Sequence, residues 1–315
     1  MDLTVVSPIY RSEALVQPLI ERIERALAPT GLEFEIVLVE DRGPDASWSR
    51  IEEACIANPR VRGIRLSRNF GQQPAIAAGL KYASGRWIVV MDGDLQDRPE
   101  EIPRLYEKAV KEGWQVVLAR RASRQDPFFR RLGARGFYGV LSYLTDTSQD
   151  PAINAFGIYH REVISAIQEM GDYVRYLPTM VRWVGFRLTT LDVEHAPRGA
   201  GVSSYNWRRL FNLALDVIVA FSDKPMRLMV QLGILISVSA SLMVLVFVTQ
   251  YAMGMVRVAG WASVFVSLWL VAGVLIGLVG VVGLYMGKTF EQAKQRPVFI
   301  VDQIRNLGEV LREAQ

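Results

Sequence analysis

The chain has 315 residues, half of them hydrophobic, and its 36 Lys and Arg against 32 Asp and Glu leave a formal charge of +4. No nucleic-acid-binding motif accompanies this mild excess, and the basic residues gather at 120–135 and beside apolar runs, which argues against a nucleic-acid partner and for phosphate groups at a membrane surface. Cys55 is alone, which excludes an internal disulfide, and the opening Leu3-Thr4-Val5-Val6 lacks the basic and apolar regions of a cleavable signal peptide, so none is expected.

From residue 3 to 119 strand and helix patterns alternate. Strands are expected at 3–7, 34–40, 61–66, 87–91 and 115–119, and helices at 12–28, 46–57, 73–83 and 100–112. Alternation of this kind predicts an α/β fold with a mostly parallel sheet covered by helices. The first strand ends in Ser7-Pro8-Ile9-Tyr10, without the Gly-rich spacing of a dinucleotide site or P-loop. The second ends in Glu40-Asp41-Arg42-Gly43-Pro44-Asp45. Ligands of open α/β sheets bind beyond the carboxyl ends of the strands, so these two ends lie where a nucleotide would sit. Pro8 and Tyr10 can wall a flat base, and Asp41 can accept a hydrogen bond from a pyrimidine ring N–H. Asp45 directly precedes a helix and reads as its N-cap.

The run Trp87-Ile88-Val89-Val90-Met91 reads as a buried parallel strand, and Asp92-Gly93-Asp94 follows it. Continued strand alternation would put both carboxylates on one side, making a hard oxygen site for Mg²⁺ or Mn²⁺. A lone Asp-Gly-Asp is more often a polar turn. Here it continues as Leu95-Gln96-Asp97-Arg98-Pro99-Glu100-Glu101, adding two oxygen-bearing side chains and a helix start with Pro99 in its first turn.

After 119 the alternation ends. Arg120, Arg121, Arg124, Arg130, Arg131 and Arg135 fall within sixteen residues, interleaved with Phe128, Phe129, Phe137 and Tyr138. A charge run is usually a solvated face, but this amphipathic one suits a membrane surface, where an arginine can clamp a lipid phosphate. Arg198-Gly199-Ala200-Gly201-Val202-Ser203-Ser204-Tyr205 presents one cation and hydroxyls on a flexible loop that by itself reads as a linker. Residues 205–222 form an amphipathic helical pattern, with Trp207, Leu210, Phe211, Ala214, Leu215, Ile218 and Phe221 on one face. Leu228–Tyr251 and Trp261–Gly287, of 24 and 27 residues, read as two membrane spans. Lys224 and Arg227 precede the first span and Lys288, Lys294 and Arg296 follow the second, whereas the intervening loop holds only Arg257, so both ends are expected in the cytoplasm. Gly273, Gly277, Gly280, Gly283 and Gly287 predict close packing of the second span, on the first or on a neighbouring subunit. Val298–Val301 is a short strand candidate outside the main fold, free to pair within its own chain or with another subunit.

Arg68-Asn69-Phe70-Gly71-Gln72-Gln73 taken with Asp92–Glu101 closely resembles the Asp-x-Asp block of inverting nucleotide-sugar transferases of the GT-A type. More narrowly it is similar to the polyprenyl-phosphate glycosyltransferases, the group of the bactoprenol glucosyltransferases and dolichyl-phosphate mannose synthases. The resemblance implies a Rossmann-like GT-A catalytic domain over 1–204 on the cytoplasmic side, an amphipathic interface helix at 205–227, two transmembrane helices within 228–287, and a cytoplasmic tail at 288–315. It implies that Pro8, Tyr10, Glu40, Asp41, Arg68 and Asp92 bind the nucleotide, with Glu40 standing where the family commonly has Asp. Asp92 and Asp94 would hold Mg²⁺ or Mn²⁺ across the donor diphosphate, with Gln96 completing the site and Arg198 adding positive charge. Asp97 would face the sugar as a base or hydroxyl contact, and Arg121, Arg131, Arg135 and Ser203 would hold the acceptor phosphate. Two positions depart from the family: Ala155 replaces an aspartate and Ser204 a lysine. His160 and His195 sit in no motif and read as structural.

The implied reaction moves a sugar, with glucose expected, from a UDP-sugar to undecaprenyl or another polyprenyl phosphate. Its product serves cell-envelope glycan or lipopolysaccharide modification, at a bacterial inner membrane and from a homotetramer. Two other readings exist. A processive polysaccharide synthase would carry Gln-x-x-Arg-Trp, but no such glutamine precedes Arg182-Trp183. A non-catalytic scaffold that binds a nucleotide sugar would show no metal-dependent turnover.

Overall fold

The computed structural model describes residues 1–121, 153–170, 176–194, 222, 224–253 and 260–306. Runs of β-branched and aliphatic residues make strands buried on both faces. These are β1 (Leu3–Ile9), β2 (Phe34–Glu40), β3 (Val61–Leu66), β4 (Trp87–Val90) and β5 (Val116–Arg121). Between them lie α1 (Val16–Leu27), α2 (Ser47–Ala57), α3 (Gln72–Tyr82) and α4 (Ile102–Glu112), each near its expected place. The chain continues through β6 (Ile153–His160), α5 (Arg161–Glu169), α6 (Leu177–Trp183) and β7 (Leu188–Val193), then α7 (Lys224–Ala252), α8 (Trp261–Ala293) and β8 (Val301–Arg305).

The eight strands form one sheet in the order β7-β5-β6-β4-β1-β2-β3-β8. It is mostly parallel, as expected: β6 runs antiparallel to β4 and β5, and β8 antiparallel to β3. The chain steps from β1 to β2 to β3, then returns through α3 to lay β4 on the other side of β1. With right-handed crossovers, that reversal of direction puts α3 on the opposite face from α1 and α2. The packing agrees: Leu3, Val5, Ile36, Leu38 and Val89 share one core with α1, α2 and α4. On the other face a Cβ at Gly79 of α3 would lie 2.3 Å from Val6 Cγ1, so the helix rests directly on the sheet. The reversal opens a crevice between the carboxyl ends of β1 and β4, the usual ligand position in such sheets.

Even the buried charge of β2 is accommodated. Glu35 is 1% exposed, accepts hydrogen bonds from the Thr4 hydroxyl at 2.6 Å and the Ser84 amide at 2.7 Å, and pairs with Arg62 at 2.8 Å. Cys55 is buried, and burial pushes its thiol up to about 11.

The tail strand differs from expectation. It begins at Val301 rather than Val298 and pairs with β3 of its own chain, so it belongs to the main sheet.

The helices α7 and α8 form a separate unit of 29 and 33 residues respectively. At ~1.5 Å per residue each exceeds the ~30 Å hydrocarbon core of a bilayer. Among the described residues, one stretch is long and apolar enough to cross a membrane: Leu270–Ala293, with mean hydropathy 2.3 and none of it buried. The stretch expected as a first span lies within the helix α7. A Cβ added at Gly273, Gly277, Gly280, Gly283 or Gly287 would meet nothing within 4 Å among the described residues. Within this unit the Tyr285 hydroxyl donates to the Ser222 carbonyl at 2.7 Å. The expected interface helix at 205–221 lies outside the described residues.

Candidate active site

β4 ends at Val90, so strand alternation does not place Asp92 and Asp94. A tight turn does. The Asp92 amide donates to Asp97 Oδ2 at 3.1 Å, and the Gln96 amide donates to Asp94 Oδ1 at 3.1 Å. Between them Leu95 takes a left-handed φ of 61°, uncommon for a branched side chain, while packing on the hydrophobic core. Gly93 has no room for a side chain. Its Cβ would lie 2.6 Å from Ile9 Cδ1 and 2.9 Å from the Pro8 carbonyl oxygen, because the turn is pressed against the end of β1. Gly93→Ala is therefore expected to destabilise the protein by about 1–3 kcal/mol, the range for overpacking a tight site. A lowered melting temperature together with reduced turnover checks this.

A second side chain fixes Asp92 from outside the turn. Gln72, the first residue of α3, donates its Nε2–H to Asp92 Oδ1 at 2.6 Å. The amide just before it belongs to Asp41: Asp41 Oδ1 accepts from the Phe70 N–H at 2.7 Å and Oδ2 from the Gly71 N–H at 2.8 Å. Gly71 has φ 100°, a conformation that favours glycine, which lets consecutive amides face one carboxylate. Asp41 is 3% exposed, and burial pushes its carboxyl above its ordinary value against the pull of those two amides and of Arg68. A continuous relay thus runs from the end of β2 through Asp41, the 70–72 turn, Gln72 and Asp92 to Asp97.

Asp97 is 4% exposed. Its charge, after burial, helps raise the Tyr159 phenol above its ordinary value, and the neutral hydroxyl donates to the Ala155 carbonyl at 2.7 Å. Ala155 itself is buried in β6, so that position carries no carboxylate.

Glu40 is fully buried and works within its own loop, accepting from the Gly43 amide and from Arg65 Nε, the latter at 3.1 Å. Burial raises its carboxyl too, with the Gly43 and Arg65 bonds opposing. Asp45 does not cap α2, whose N-cap is Ala46. It accepts instead from the Glu13 amide at 3.1 Å and from the Ser47 hydroxyl at 2.9 Å, tying the loop after β2 to the loop after β1. Tyr10 is 43% exposed, Pro8 partly exposed, and the Arg68 guanidinium lies 4.2 Å over the Phe70 ring.

The structure therefore brings Asp92, Asp94, Gln96 and Asp97 into one turn and links Asp41 to it. Arg121 ends β5, with its side chain outside the described residues, and Arg131, Arg135, Arg198 and Ser203 all lie outside them. His160 stands edge-on to Trp87 at 4.8 Å and 3.5 Å from Glu162, a structural setting. His195 lies outside the described residues. Gln72 is a side chain to which the sequence alone assigns no role. Its signal was its place directly after Gly71, at the start of the helix that returns the chain to β4. Gln73 is structural, its Oε1 accepting the Leu177 amide at 3.2 Å.

Among the described residues no three Asp, Glu, His or Cys converge as a closed metal cage. The donors at the turn are all oxygens. Two carboxylates in one turn fit a hard divalent ion that takes its remaining ligands from a diphosphate.

Comparison with known proteins agrees with this geometry. Residues 4–167 match glycosyl transferase family 2. The uncharacterized glycosyltransferase sll0501 of Synechocystis is 33% identical over 98% of this chain and 96% of its own. The uncharacterized glycosyltransferase YkcC of Bacillus subtilis is 34% identical over 95% and 93%. The undecaprenyl-phosphate 4-deoxy-4-formamido-L-arabinose transferase of Proteus mirabilis is 32% identical over 96% and 93%. With that match spanning β1 to β6, the acidic turn and the relay that holds it, the chain belongs to glycosyl transferase family 2.

Proposed function

We propose that this protein transfers a sugar, with inversion, from a UDP-sugar to undecaprenyl or a related polyprenyl phosphate. The observation that carries the reading is the relay from Asp41 through Gln72 to Asp92 and Asp97, which holds an acidic turn at the crevice between β1 and β4. Relatives similar along nearly their whole length, and named for an undecaprenyl-phosphate acceptor, support the acceptor class.

Asp92 and Asp94, with Gln96, would hold Mg²⁺ or Mn²⁺. Such an ion supplies positive charge to the leaving diphosphate. The chain's own residues do the rest. Pro8 and Tyr10 wall the base, Asp41 and Glu40 shape the loop beside it, and Arg68 lies next to that loop. Arg121, Arg131 and Arg135, with Ser203, position the acceptor phosphate, and Arg198 adds charge at the diphosphate. A phosphate monoester has a second pKa of about 6, so at neutral pH the acceptor is mostly a dianion and attacks without a general base. A bond forms from a phosphate oxygen to the sugar C1 as the bond from C1 to the diphosphate oxygen breaks, releasing UDP and inverting the centre. Asp97, nearly buried and bonded to the Asp92 amide, acts by holding the turn.

The helix around Leu270–Ala293 anchors the enzyme in a bacterial inner membrane, with a second span from α7, both termini cytoplasmic, and four copies assembled. Glucose is the first donor sugar to test, and the formamido-arabinose in the relatives' names the second.

The test is transfer by purified full-length protein in detergent, with UDP- and GDP-sugars, undecaprenyl phosphate, and Mn²⁺ or EDTA. A butanol-extractable lipid product from one UDP-sugar, lost in EDTA, is expected. Polymer without a lipid-linked monosaccharide, or donor binding without turnover across the panel, would overturn the proposal.

A further inference from the structure

The strand after the membrane helix carries a defect in its ladder. In the pairing of β8 with β3, Gly63 faces Arg305, Ile64 faces Ile304 and Arg65 faces Gln303, but Leu66 faces Val301. Asp302 is the extra residue of a β-bulge, and the ladder resumes with the Ser67 amide bonded to the Ile300 carbonyl at 2.9 Å. A bulge re-aims a side chain. Here Asp302 Oδ2 accepts from Arg42 Nη1 at 2.6 Å. Arg42 lies in the loop between β2 and α2 with a left-handed φ of 50°, which a non-glycine residue adopts only when its surroundings hold it there. The same loop carries Glu40 and Asp41. Arg65, opposite Gln303, grips Glu40 from the β3 side at 3.1 Å.

The remainder of β8 is fastened to α2 and its flanks. Gln303 accepts from Trp48 Nε1 at 3.1 Å, Arg305 bonds Glu52 at 2.6 Å, and the Asn306 amide donates to the carbonyls of Cys55 and Val61. Those contacts suffice to cover the open edge of β3. Asp302 is set apart from them by the bulge and turned to the loop.

We infer that the tail strand is a working part of the donor site: Asp302 is a positioning residue that holds Arg42, and with it the loop presenting Glu40 and Asp41. The inference rests on the reading of that loop as nucleotide-binding.

The experiment compares full-length wild type, Asp302→Ala, Asp302→Glu and Arg42→Ala in detergent. It reads amide hydrogen exchange, melting temperature, and donor KM and kcat with the UDP-sugar that the panel identifies. In Asp302→Ala, amides 42–46 should exchange faster while those of β3 and β8 stay protected. Donor KM should rise about two- to fivefold, the scale of one exposed ion pair, with kcat unchanged. Asp302→Glu should restore most of the affinity, and Arg42→Ala should match Asp302→Ala with no added effect in the double variant. Unchanged exchange at 42–46 would overturn the clamp. Loss of protection along β3 and β8 would reduce Asp302 to an edge-strand residue and overturn it equally. Faster exchange at 42–46 with unchanged donor KM would leave the clamp standing but remove the nucleotide from that loop, so the two failures are distinguishable.

Discussion

Asp94→Ala should abolish sugar transfer, lowering turnover by about a thousandfold or more, while the protein stays folded. Asp94 is only partly buried, and losing its bond to the Gln96 amide, at 3.1 Å, costs about 0.5–1.5 kcal/mol. The chemical loss is larger, because charge stabilisation by a held divalent ion is worth several kcal/mol and each ~1.4 kcal/mol is tenfold in rate. Asp94→Asn separates the two effects. The amide oxygen still accepts from Gln96, so melting should match wild type, while the missing charge should leave transfer as low as in the alanine variant. Lipid-linked sugar formed per minute, read beside the melting temperature of each protein, checks both. Transfer at the wild-type rate in either variant would remove Asp94 from the metal site.

Much of this arrangement was legible locally. β1 to β5 and α1 to α4 could be read because each is an uninterrupted apolar run or an amphipathic repeat. Gly31, Gly71 and Gly113, all left-handed, punctuate them. Other features depended on distant partners. Ile153–His160 is strand-like in composition, but nothing within it says that it runs antiparallel between β4 and β5. β7 is half-exposed along most of its length and offers no buried run to find. At the acidic turn, strand alternation does not account for the arrangement, since β4 ends two residues before Asp92 and the carboxylates are set by hydrogen bonds within the turn. In the tail the apolar Val298–Val301 attracted the strand assignment. The actual strand, Val301–Arg305, is mostly polar because it forms the outer edge of the sheet, where charged side chains discourage further pairing.

The acidic residue at the end of β2 shows the same limit and carries the second large effect. Asp41 was legible as a polar residue just beyond a strand end, but not as the acceptor for two amides nearly thirty positions later. Asp41→Ala leaves the Phe70 and Gly71 N–H groups without their carboxylate and frees the turn that delivers Gln72 to Asp92. Both amides belong to half-buried residues that water reaches, so the expected loss of stability is about 1–3 kcal/mol. Turnover should fall further, by about a hundredfold, because displacement of a positioning group by about 1 Å costs that much. The pH dependence has a definite sign. Burial raises the Asp41 carboxyl above its unfolded value of about 3.9, so the stability linked to its titration is fully present below that pH and is lost as pH rises through the folded-state value. The stability gap between wild type and Asp41→Ala should therefore be wider in acid than at pH 7, where the ionised carboxylate carries its full burial penalty. Denaturant unfolding of both proteins at the two pH values measures the gap. A gap that widened toward neutral pH would mean that the two amides outweigh burial and lower the carboxyl instead. Native donor KM and turnover in Asp41→Ala would show that the 70–72 turn holds Asp92 without help from β2.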